Sequence, residues 1–305
     1  MVTTLQMIRL RLTIVLFAIV VLTTVFPILT VNAASQKIIV VKSADLKPYQ
    51  DVLNGLRDEC GCDVQEMKVR GEEDRKKIVD NHPVAVVAIG TAAFKKVRSI
   101  TNLPVIYIMV IPSEATPPLS SNISGVSLDF SPDAYLSMMT ALFPKAKRIG
   151  LVYDPRNTAA FVGDAAKAAR AVNVELVTEQ VRDLSMIPDA LNDLRYKIDV
   201  LWMVPDPTVV TNEIVDDMLR FSFQNNVPIV TFSKKYVEMG AVASLDIDPY
   251  DMGVQAASIV NGLSAKQTAI TVYARKSHLT INKKVASKLG LTIKDGIFTA
   301  AETVE

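Results

Sequence analysis

Short runs of apolar residues alternate along the chain with longer stretches in which apolar residues recur every three or four positions. The short runs are rich in Val and Ile and hold few polar residues, which is typical of strands buried on both faces of a parallel sheet. The predicted strands are 38–42, 64–69, 84–89, 104–109, 148–153, 174–178, 199–204, 228–232 and 241–245. The predicted helices include 46–59, 71–81, 157–172 and 211–225. This alternation predicts an α/β protein with doubly wound sheets.

The same order of strands and helices occurs twice. "KIIVVK" opens the first half as "RIGLVY" opens the second, and "NLPVIYIM" corresponds to "NNVPIVTF". Residues 112–127 are rich in Pro and Ser, so we expect them to cross between the halves. The repeat predicts two Rossmann-like lobes joined by a hinge. We expect lobe 1 at 36–117 plus about 247–270, and lobe 2 at about 127–245 plus about 275–300.

The first 33 residues have the pattern of a secretory signal peptide. They hold Arg9 and Arg11, no acidic residue, an apolar run from Leu12 to about Val31, and small residues before an expected cleavage point after Ala33. The run is also long enough to span a bilayer, so a retained membrane anchor is the alternative. We expect cleavage of the leader, export and a periplasmic protein.

Charge and motif content argue against two broad classes of function. The chain has 33 basic and 32 acidic residues, and without the two arginines of the leader 31 − 32 gives a net charge of −1. A near-neutral chain without a basic block offers no electrostatic surface for nucleic acid. The sequence also lacks the G-x-S-x-G, G-x-G-x-x-G, P-loop and H-E-x-x-H motifs. We therefore expect neither an enzyme nor a bound cofactor or metal ion.

Cys60 and Cys62, in "ECGCD", are the only cysteines of the chain. Two thiols are too few for a structural zinc site. An oxidising compartment would allow them to pair, but disulfide geometry disfavours a bridge across so short a loop. We expect two half-buried thiols in a turn before a strand, with a disulfide as the alternative.

Ligands of open α/β sheets bind outside the carboxyl ends of the strands, and a crevice between two lobes is the default site. In the first half, Gly90, Thr91 and Ala92 follow the predicted strand 84–89 and open a helix. Free N–H groups at such a start attract an anion, so we expect a ligand carboxylate there, with the Thr91 hydroxyl as a further donor. The alternative is that Thr91 only caps the helix.

In the second half, two strand ends carry polar side chains. Tyr153 ends the first strand of this half, and Asn157, shortly after it, is expected to cap a helix and to reach the ligand. Asp206 and Thr208 follow the central strand, which two prolines end. We expect Asp206 to bind a ligand ammonium or hydroxyl group and Thr208 to cap the next helix. The alternative for Asp206 is a carboxylate favoured by the helix dipole.

Three further residues complete the expected site. Ser233 follows the last strand of the second repeat and would offer a hydroxyl, with a place in a turn as the alternative. Asp246 and Asp248 lie in "DIDPYD", where the chain is expected to return to lobe 1. We expect Asp248 to order this crossing or to reach the ligand. A calcium loop is disfavoured because the Gly and Glu spacing of an EF-hand is missing.

The ordered segments "VAIGTAA", "NISGVSLD", "LFPKAKRIGLVYDPRN", "DVLWMVPDPTVV" and "PIVTFSKKYVEMGAVASLDIDPYDMG" resemble the substrate-binding proteins of ABC transporters, of the tryptophan/tyrosine type. The resemblance covers almost the whole chain after the leader. It implies a type I periplasmic binding protein fold, a Venus flytrap, which binds a small molecule and delivers it to permease subunits in the membrane. Ligands of characterised relatives include aromatic amino acids. The chain departs from many members at Asp154, where they have Asn, and at Asp246, where they have Gly.

These features predict an exported, monomeric solute-binding protein that captures a small molecule, such as an aromatic or other amino acid, in the crevice between its lobes by hinge closure. The first alternative is a ligand-sensing receptor of the same fold that partners a membrane sensor protein. A periplasmic enzyme that uses the acidic residues is a second alternative, which the missing catalytic motifs disfavour.

Overall fold

The structure is a computed structural model, and it describes residues 36–115, 119–263 and 269–304. Its strands are β1 (Lys37–Lys42), β2 (Asp63–Glu66), β3 (Ala85–Ile89), β4 (Val105–Ile108), β5 (Ile123–Val126), β6 (Arg148–Tyr153), β7 (Glu175–Gln180), β8 (Val200–Trp202), β9 (Ile229–Thr231), β10 (Ala243–Ile247), β11 (Thr271–Val272), β12 (Ser277–Asn282) and β13 (Glu302–Val304). Its α-helices are α1 (Lys47–Cys60), α2 (Glu72–Asp80), α3 (Thr91–Val97), α4 (Pro132–Leu142), α5 (Pro155–Ala171), α6 (Ile187–Leu194), α7 (Asn212–Asn225), α8 (Lys234–Met239), α9 (Pro249–Asn261), α10 (Lys283–Lys288) and α11 (Asp295–Ala300).

The predicted leader, residues 1–33, lies outside the described residues. Within the three described ranges, no helix is long and apolar enough to cross a membrane.

The first sheet has the strand order β11-β5-β4-β3-β1-β2, and all of its neighbouring strands are parallel. β3 and β4 are buried along their whole length. Successive residues of β3 face opposite sides of the sheet, so that Val87 and Ile89 join one hydrophobic cluster and Val86 and Ala88 join another. Burial on both faces explains why the sequence reads as unbroken runs of Val and Ile.

The second sheet has the strand order β13-β12-β10-β9-β8-β6-β7. Its pairs are parallel except for β10 and β12, which run antiparallel. The order β7-β6-β8-β9-β10 repeats the order β2-β1-β3-β4-β5 of the first sheet. Both are the 2-1-3-4-5 order of a doubly wound sheet. The fold therefore confirms the predicted repeat of two Rossmann-like lobes.

The chain crosses between the two sheets three times: between β5 and α4, between β10 and α9, and between β11 and β12. The crossing segments are hydrogen-bonded to one another. The Ala274 N–H donates to the Asp129 carbonyl oxygen at 3.0 Å, and the Asp248 N–H donates to the Lys276 carbonyl oxygen at 3.2 Å. These bonds join the three crossings into one hinge region.

Helix α9 follows β10 of the second sheet in sequence but packs on α1 beside the first sheet. The two helix backbones approach closely at Gly55 and Gly253. A Cβ at Gly253 would lie 2.0 Å from the Val52 carbonyl oxygen, and one at Gly55 would lie 2.0 Å from the Tyr250 carbonyl oxygen. Only glycine fits at these two positions, so this contact fixes the return of the chain to the first lobe.

Three expectations differ from the structure. Strand β5 lies within residues 112–127 and belongs to the first sheet, so the first crossing begins only after Val126. Helix α7 is capped by Thr211, whose hydroxyl accepts the Ile214 N–H at 3.4 Å, so the prediction that Thr208 caps it is wrong. Cys60 and Cys62 form a disulfide with a Cα–Cα distance of 5.1 Å, which is the alternative to the expected free thiols.

Candidate functional site

The carboxyl ends of the two sheets turn toward each other. The single turn Pro112–Glu114, which follows β4, lies against α5, which follows β6. The loops after β1, β3, β4 and β5 therefore form one wall, and the loops after β6, β8, β9 and β10 form the other. The space between these two walls is named here the interlobe cleft.

Gly90 directly follows β3 on the first wall, and its backbone requires glycine. Its φ of +91° lies in the left-handed region that other residues rarely adopt. A Cβ at this position would also lie 2.6 Å from both Ser43 Oγ and Tyr49 Oη. The two hydroxyl groups thus converge on the Gly90 backbone at the edge of the cleft.

Thr91 and Ala92 begin α3, but Thr91 does not cap it. The Thr91 hydroxyl accepts the Ile111 N–H at 3.1 Å and so fastens the loop after β4. Ser43 Oγ satisfies the start of the helix by accepting the Ala93 N–H at 2.8 Å. Sequence reasoning missed Ser43. The only feature of the sequence that indicates it is its position as a hydroxyl-bearing residue directly after β1. Ala92 is exposed at the same edge.

Asp206 lies on the second wall and is fully buried. Its carboxylate accepts four hydrogen bonds within the lobe. The donors are the Asp154 N–H (2.8 Å), the Asn157 amide (3.0 Å), the Thr158 hydroxyl (2.7 Å) and the Thr208 N–H (2.9 Å). A carboxylate with four donors is well compensated for its burial. Asp206 therefore ties the loop after β8 to the start of α5.

Asp154, the buried neighbour of Asp206, caps α5 by accepting the Arg156 N–H at 2.9 Å. The Arg156 guanidinium and the Thr208 hydroxyl bond to the same carboxylate. These bonds, chiefly those from Arg156, outweigh the effect of burial and hold the pKa of Asp154 well below its usual range. Arg156 also donates to the Arg182 carbonyl oxygen. Its guanidinium is held on the second wall by these partners.

The structure thus gathers three predicted residues, Asn157, Asp206 and Thr208, into one network. The Asn157 amide donates to the Thr208 hydroxyl at 3.0 Å as well as to Asp206. Because Asp154 caps α5, the expectation that Asn157 caps this helix is wrong. Tyr153 is buried beside the network, and its hydroxyl accepts the Gln180 amide N–H at 3.0 Å.

Ser233 and Asp246 form a separate group at the start of α8. Ser233 caps this helix by accepting the Lys235 N–H at 3.4 Å. Asp246 is half-buried at the end of β10 and accepts three hydrogen bonds. Its donors are the Lys234 N–H (2.5 Å), the Ser244 hydroxyl (2.6 Å) and the Thr280 hydroxyl (3.3 Å).

Asp248 lies in the second crossing, where it caps α9 by accepting the Asp251 N–H at 3.1 Å. Lys276 of the third crossing and His278 of β12 lie 2.9 Å and 3.4 Å from its carboxylate. Burial opposes ionisation of Asp248, but Lys276 and the Asp251 N–H outweigh it and lower its pKa. These contacts are those of a residue that orders the hinge.

Asp129 and an aromatic cluster were missed by sequence reasoning. The cluster consists of Phe130, Tyr135, Phe161 and Trp202, whose rings pack at centroid distances of 5.1–6.5 Å. It lies where the first crossing enters the second lobe. Trp202 Nε1 is the one buried side-chain polar atom without a partner in the described part of the chain.

A cavity of about 610 Å³ lies at the amino end of the second sheet, beside Phe143, Arg148, Tyr196 and Pro228. The residues that line it include none of the predicted site residues. It therefore faces away from the interlobe cleft. Among the described residues, no three His, Cys, Asp or Glu side chains gather as a metal ion would need.

A family model described as "ABC transporter substrate binding protein" matches residues 38–305, which is most of the chain. The chain belongs to this family. The match confirms the resemblance seen in the sequence. This substrate-binding protein is also 28% identical over 176 residues to a tyrosine-binding protein of Clostridioides difficile (strain R20291). That alignment covers 56% of this chain and 50% of the relative, so the chain spans about half the length of the curated relative that it matches.

Solved structures share the fold of this substrate-binding protein. A conserved domain protein of Vibrio cholerae is 23% identical, with a TM-score of 0.58 over 89% of this chain and 100% of that chain. An ABC domain in complex with L-Trp from Streptococcus pneumoniae is 22% identical, with the same TM-score and coverage. A ligand-free, open substrate-binding protein with adhesive properties from Clostridium difficile is 18% identical, with a TM-score of 0.66 over 88% of this chain and 99% of that chain. These likenesses confirm the predicted type I periplasmic binding protein fold.

Proposed function

We propose that this protein captures a free amino acid, with aromatic amino acids as the first candidates, in the interlobe cleft and presents it to an ABC transporter permease. The observation that carries the proposal is the family match over residues 38–305 in a chain whose two sheets turn their carboxyl ends toward each other. The named ligands of two relatives, tyrosine and L-Trp, support the choice of ligand class.

The proposed mechanism is closure of the two lobes about the three crossings. A ligand that contacts both walls stabilises the closed form by the difference between its affinities for the closed and open forms. The first wall would supply the Gly90–Ala92 edge and the hydroxyl groups near it. The second wall, held by the network of Asp154 and Asp206, would supply a preformed surface that needs little reorganisation on binding.

We further propose that the protein is exported by its leader, acts as a monomer in the periplasm and docks in its closed form on the permease subunits. The composition of residues 1–33 supports export. The absence of the usual catalytic motifs from the sequence supports binding without turnover.

The experiment that tests this function is thermal unfolding of the purified protein against a panel of amino acids, sugars, nucleosides and small organic acids. A ligand at a hundredfold excess over its dissociation constant stabilises the folded state by about 2.7 kcal/mol. For a chain of this length the Tm should rise by roughly 5–10 °C. We expect the largest shift with tyrosine or tryptophan. A response only to sugars or nucleosides would contradict the proposal.

A further inference from the structure

The acidic side chains of the second wall are already hydrogen-bonded several times within the protein. Asp206 accepts four hydrogen bonds, and Asp154 is bound by the Arg156 guanidinium and the Thr208 hydroxyl. Asp246 accepts three hydrogen bonds at the start of α8. A carboxylate with its oxygens already occupied has little to offer the ammonium group of a ligand. The partner for such a group is therefore expected elsewhere.

Asp129 differs from these residues in its position and in its partners. It lies on the first crossing, three residues after the carboxyl end of β5, and its carbonyl oxygen accepts the Ala274 N–H of the third crossing. It therefore sits at the base of the interlobe cleft, where both walls meet. The residue is only 6% exposed.

Only one oxygen of the Asp129 carboxylate is used by the described residues. Oδ1 accepts the Phe130 N–H at 2.9 Å and the Tyr135 hydroxyl at 3.1 Å. Oδ2 receives no hydrogen bond from the part of the chain that the structure describes, and no Lys, Arg or His of that part forms an ion pair with it. It is not among the fully buried polar atoms that lack a partner, so it retains some exposure. A buried carboxyl without a cation is costly when ionised.

The groups that act on this region are neutral or acidic. Tyr135 of α4 donates to Asp129, and burial, followed by the charge of Asp129, raises the pKa of Tyr135, so its hydroxyl stays protonated. Burial, followed by the charges of Asp164, Asp129 and Asp133, raises the pKa of Tyr273 of the third crossing. The charge of Asp246 of β10 also contributes to raising the pKa of Tyr135. Burial, only partly offset by the two hydrogen bonds, raises the pKa of Asp129 to about 7.

We propose that Asp129 is the anionic partner of the ligand's ammonium group, so that the interlobe cleft selects molecules that carry a protonated primary amine. This inference rests on the proposed function and gives it a specificity-determining residue. Tyr135 holds the carboxylate in place through its hydroxyl, and Oδ2 is the oxygen that the ammonium group meets. A sugar or an organic acid supplies no cation to this carboxyl and is rejected for that reason.

Proton exchange on binding follows from this assignment. The empty site is partly protonated near pH 7, whereas an ammonium group binds the ionised carboxylate. Binding therefore releases a proton, and the affinity for an amine ligand should rise as the pH increases from about 6 to about 8. A carboxylate that only orders the hinge would release no proton when ligand binds.

Titration calorimetry with L-tyrosine and L-tryptophan tests the assignment, with 3-(4-hydroxyphenyl)propionic acid as the analogue of tyrosine without its amine. We expect the wild-type protein to bind the amino acid at least tenfold more tightly than the analogue. Asp129→Asn should lower the affinity for the amino acid by roughly 10- to 100-fold, because a hydrogen-bonded charge pair is lost, and should leave the analogue little changed. Asp133→Asn, at an exposed residue of α4 with the same loss of charge, is the matched control and should bind as the wild type does.

Calorimetry of the wild-type protein in two buffers with different ionisation enthalpies measures the number of protons released on binding. This measurement needs no variant. Equal affinity of wild type and Asp129→Asn for the amino acid would overturn the assignment while leaving the proposed function standing. Binding without proton release and without pH dependence between 6 and 8 would overturn it in the same way. If the wild-type protein binds neither amino acid but binds a compound without an amine, both the assignment and the proposed ligand class are wrong.

Discussion

A direct consequence of the Asp129 environment is that this carboxyl weakens the folded state at alkaline pH. Its pKa is about 7 in the folded protein, against 3.8 for an unperturbed Asp side chain. Between these values the folded state holds a proton that the unfolded state has lost. Stability therefore falls as the pH rises through this interval and stays at its lower level above about 8.

The variant Asp129→Asn removes this pH dependence, because Asn does not titrate and its side-chain oxygen still accepts the hydrogen bonds of Phe130 and Tyr135. At about 1.4 kcal/mol per pH unit, the whole interval corresponds to about 4 kcal/mol. The part between pH 5.5 and pH 7 corresponds to about 2 kcal/mol. We expect the stability of the variant relative to the wild type to increase by this smaller amount between pH 5.5 and pH 8.5.

Urea unfolding at pH 5.5, 7.0 and 8.5 measures the effect. Asp154→Asn is the matched control, because Asp154 is also buried but its pKa is lowered, chiefly by Arg156. Its stabilising contribution is complete above pH 3.8 and is lost only as the pH falls through its low folded pKa. This control should therefore be less stable than the wild type by a similar amount at all three pH values. Parallel stability curves for the wild type and Asp129→Asn would refute the reasoning.

The remaining predictions concern packing and the buried network. Asp206→Ala should lower the unfolding free energy by about 2–4 kcal/mol in urea titrations, because four donors lose their acceptor; unchanged stability would show that the network contributes little. Gly253→Ala should cost about 1–3 kcal/mol, since its Cβ would meet the Val52 carbonyl oxygen. Gly163→Ala, in α5 with no atom within 4 Å of the new Cβ, should instead stabilise by about 0.5–1 kcal/mol in the same assay. Equal effects of the two glycine variants would contradict the helix contact.

The sequence was sufficient to predict the architecture because the strands are buried on both faces. Runs such as "VAVVAI" have one structural interpretation once their length and spacing are considered. Strands β5 and β12 escaped prediction because their sequences, "ISGV" and "SHLTIN", contain Ser, Gly and His and take their stability from pairing at the sides of the sheets. Such strands form because neighbouring strands pair with them, and their own residues do not predict a strand.

The grouping of polar side chains at the strand ends was predictable from the sequence, but their hydrogen-bond partners were not. The structure brings Asn157, Asp206 and Thr208 together at two such ends. The sequence does not show which donors each carboxylate accepts, because the Asp154 N–H that donates to Asp206 lies 52 residues away along the chain. For the same reason Asp129 passed unnoticed, since its burial without a cation depends on elements distant in the sequence.

Small-angle scattering with and without a saturating amino acid tests the central claim, capture between two closing lobes, most directly. Hinge closure predicts a smaller radius of gyration in the presence of tyrosine or tryptophan, and no change with a sugar at the same concentration. An amino acid that binds in calorimetry but leaves the radius of gyration unchanged would contradict closure of the interlobe cleft around the ligand.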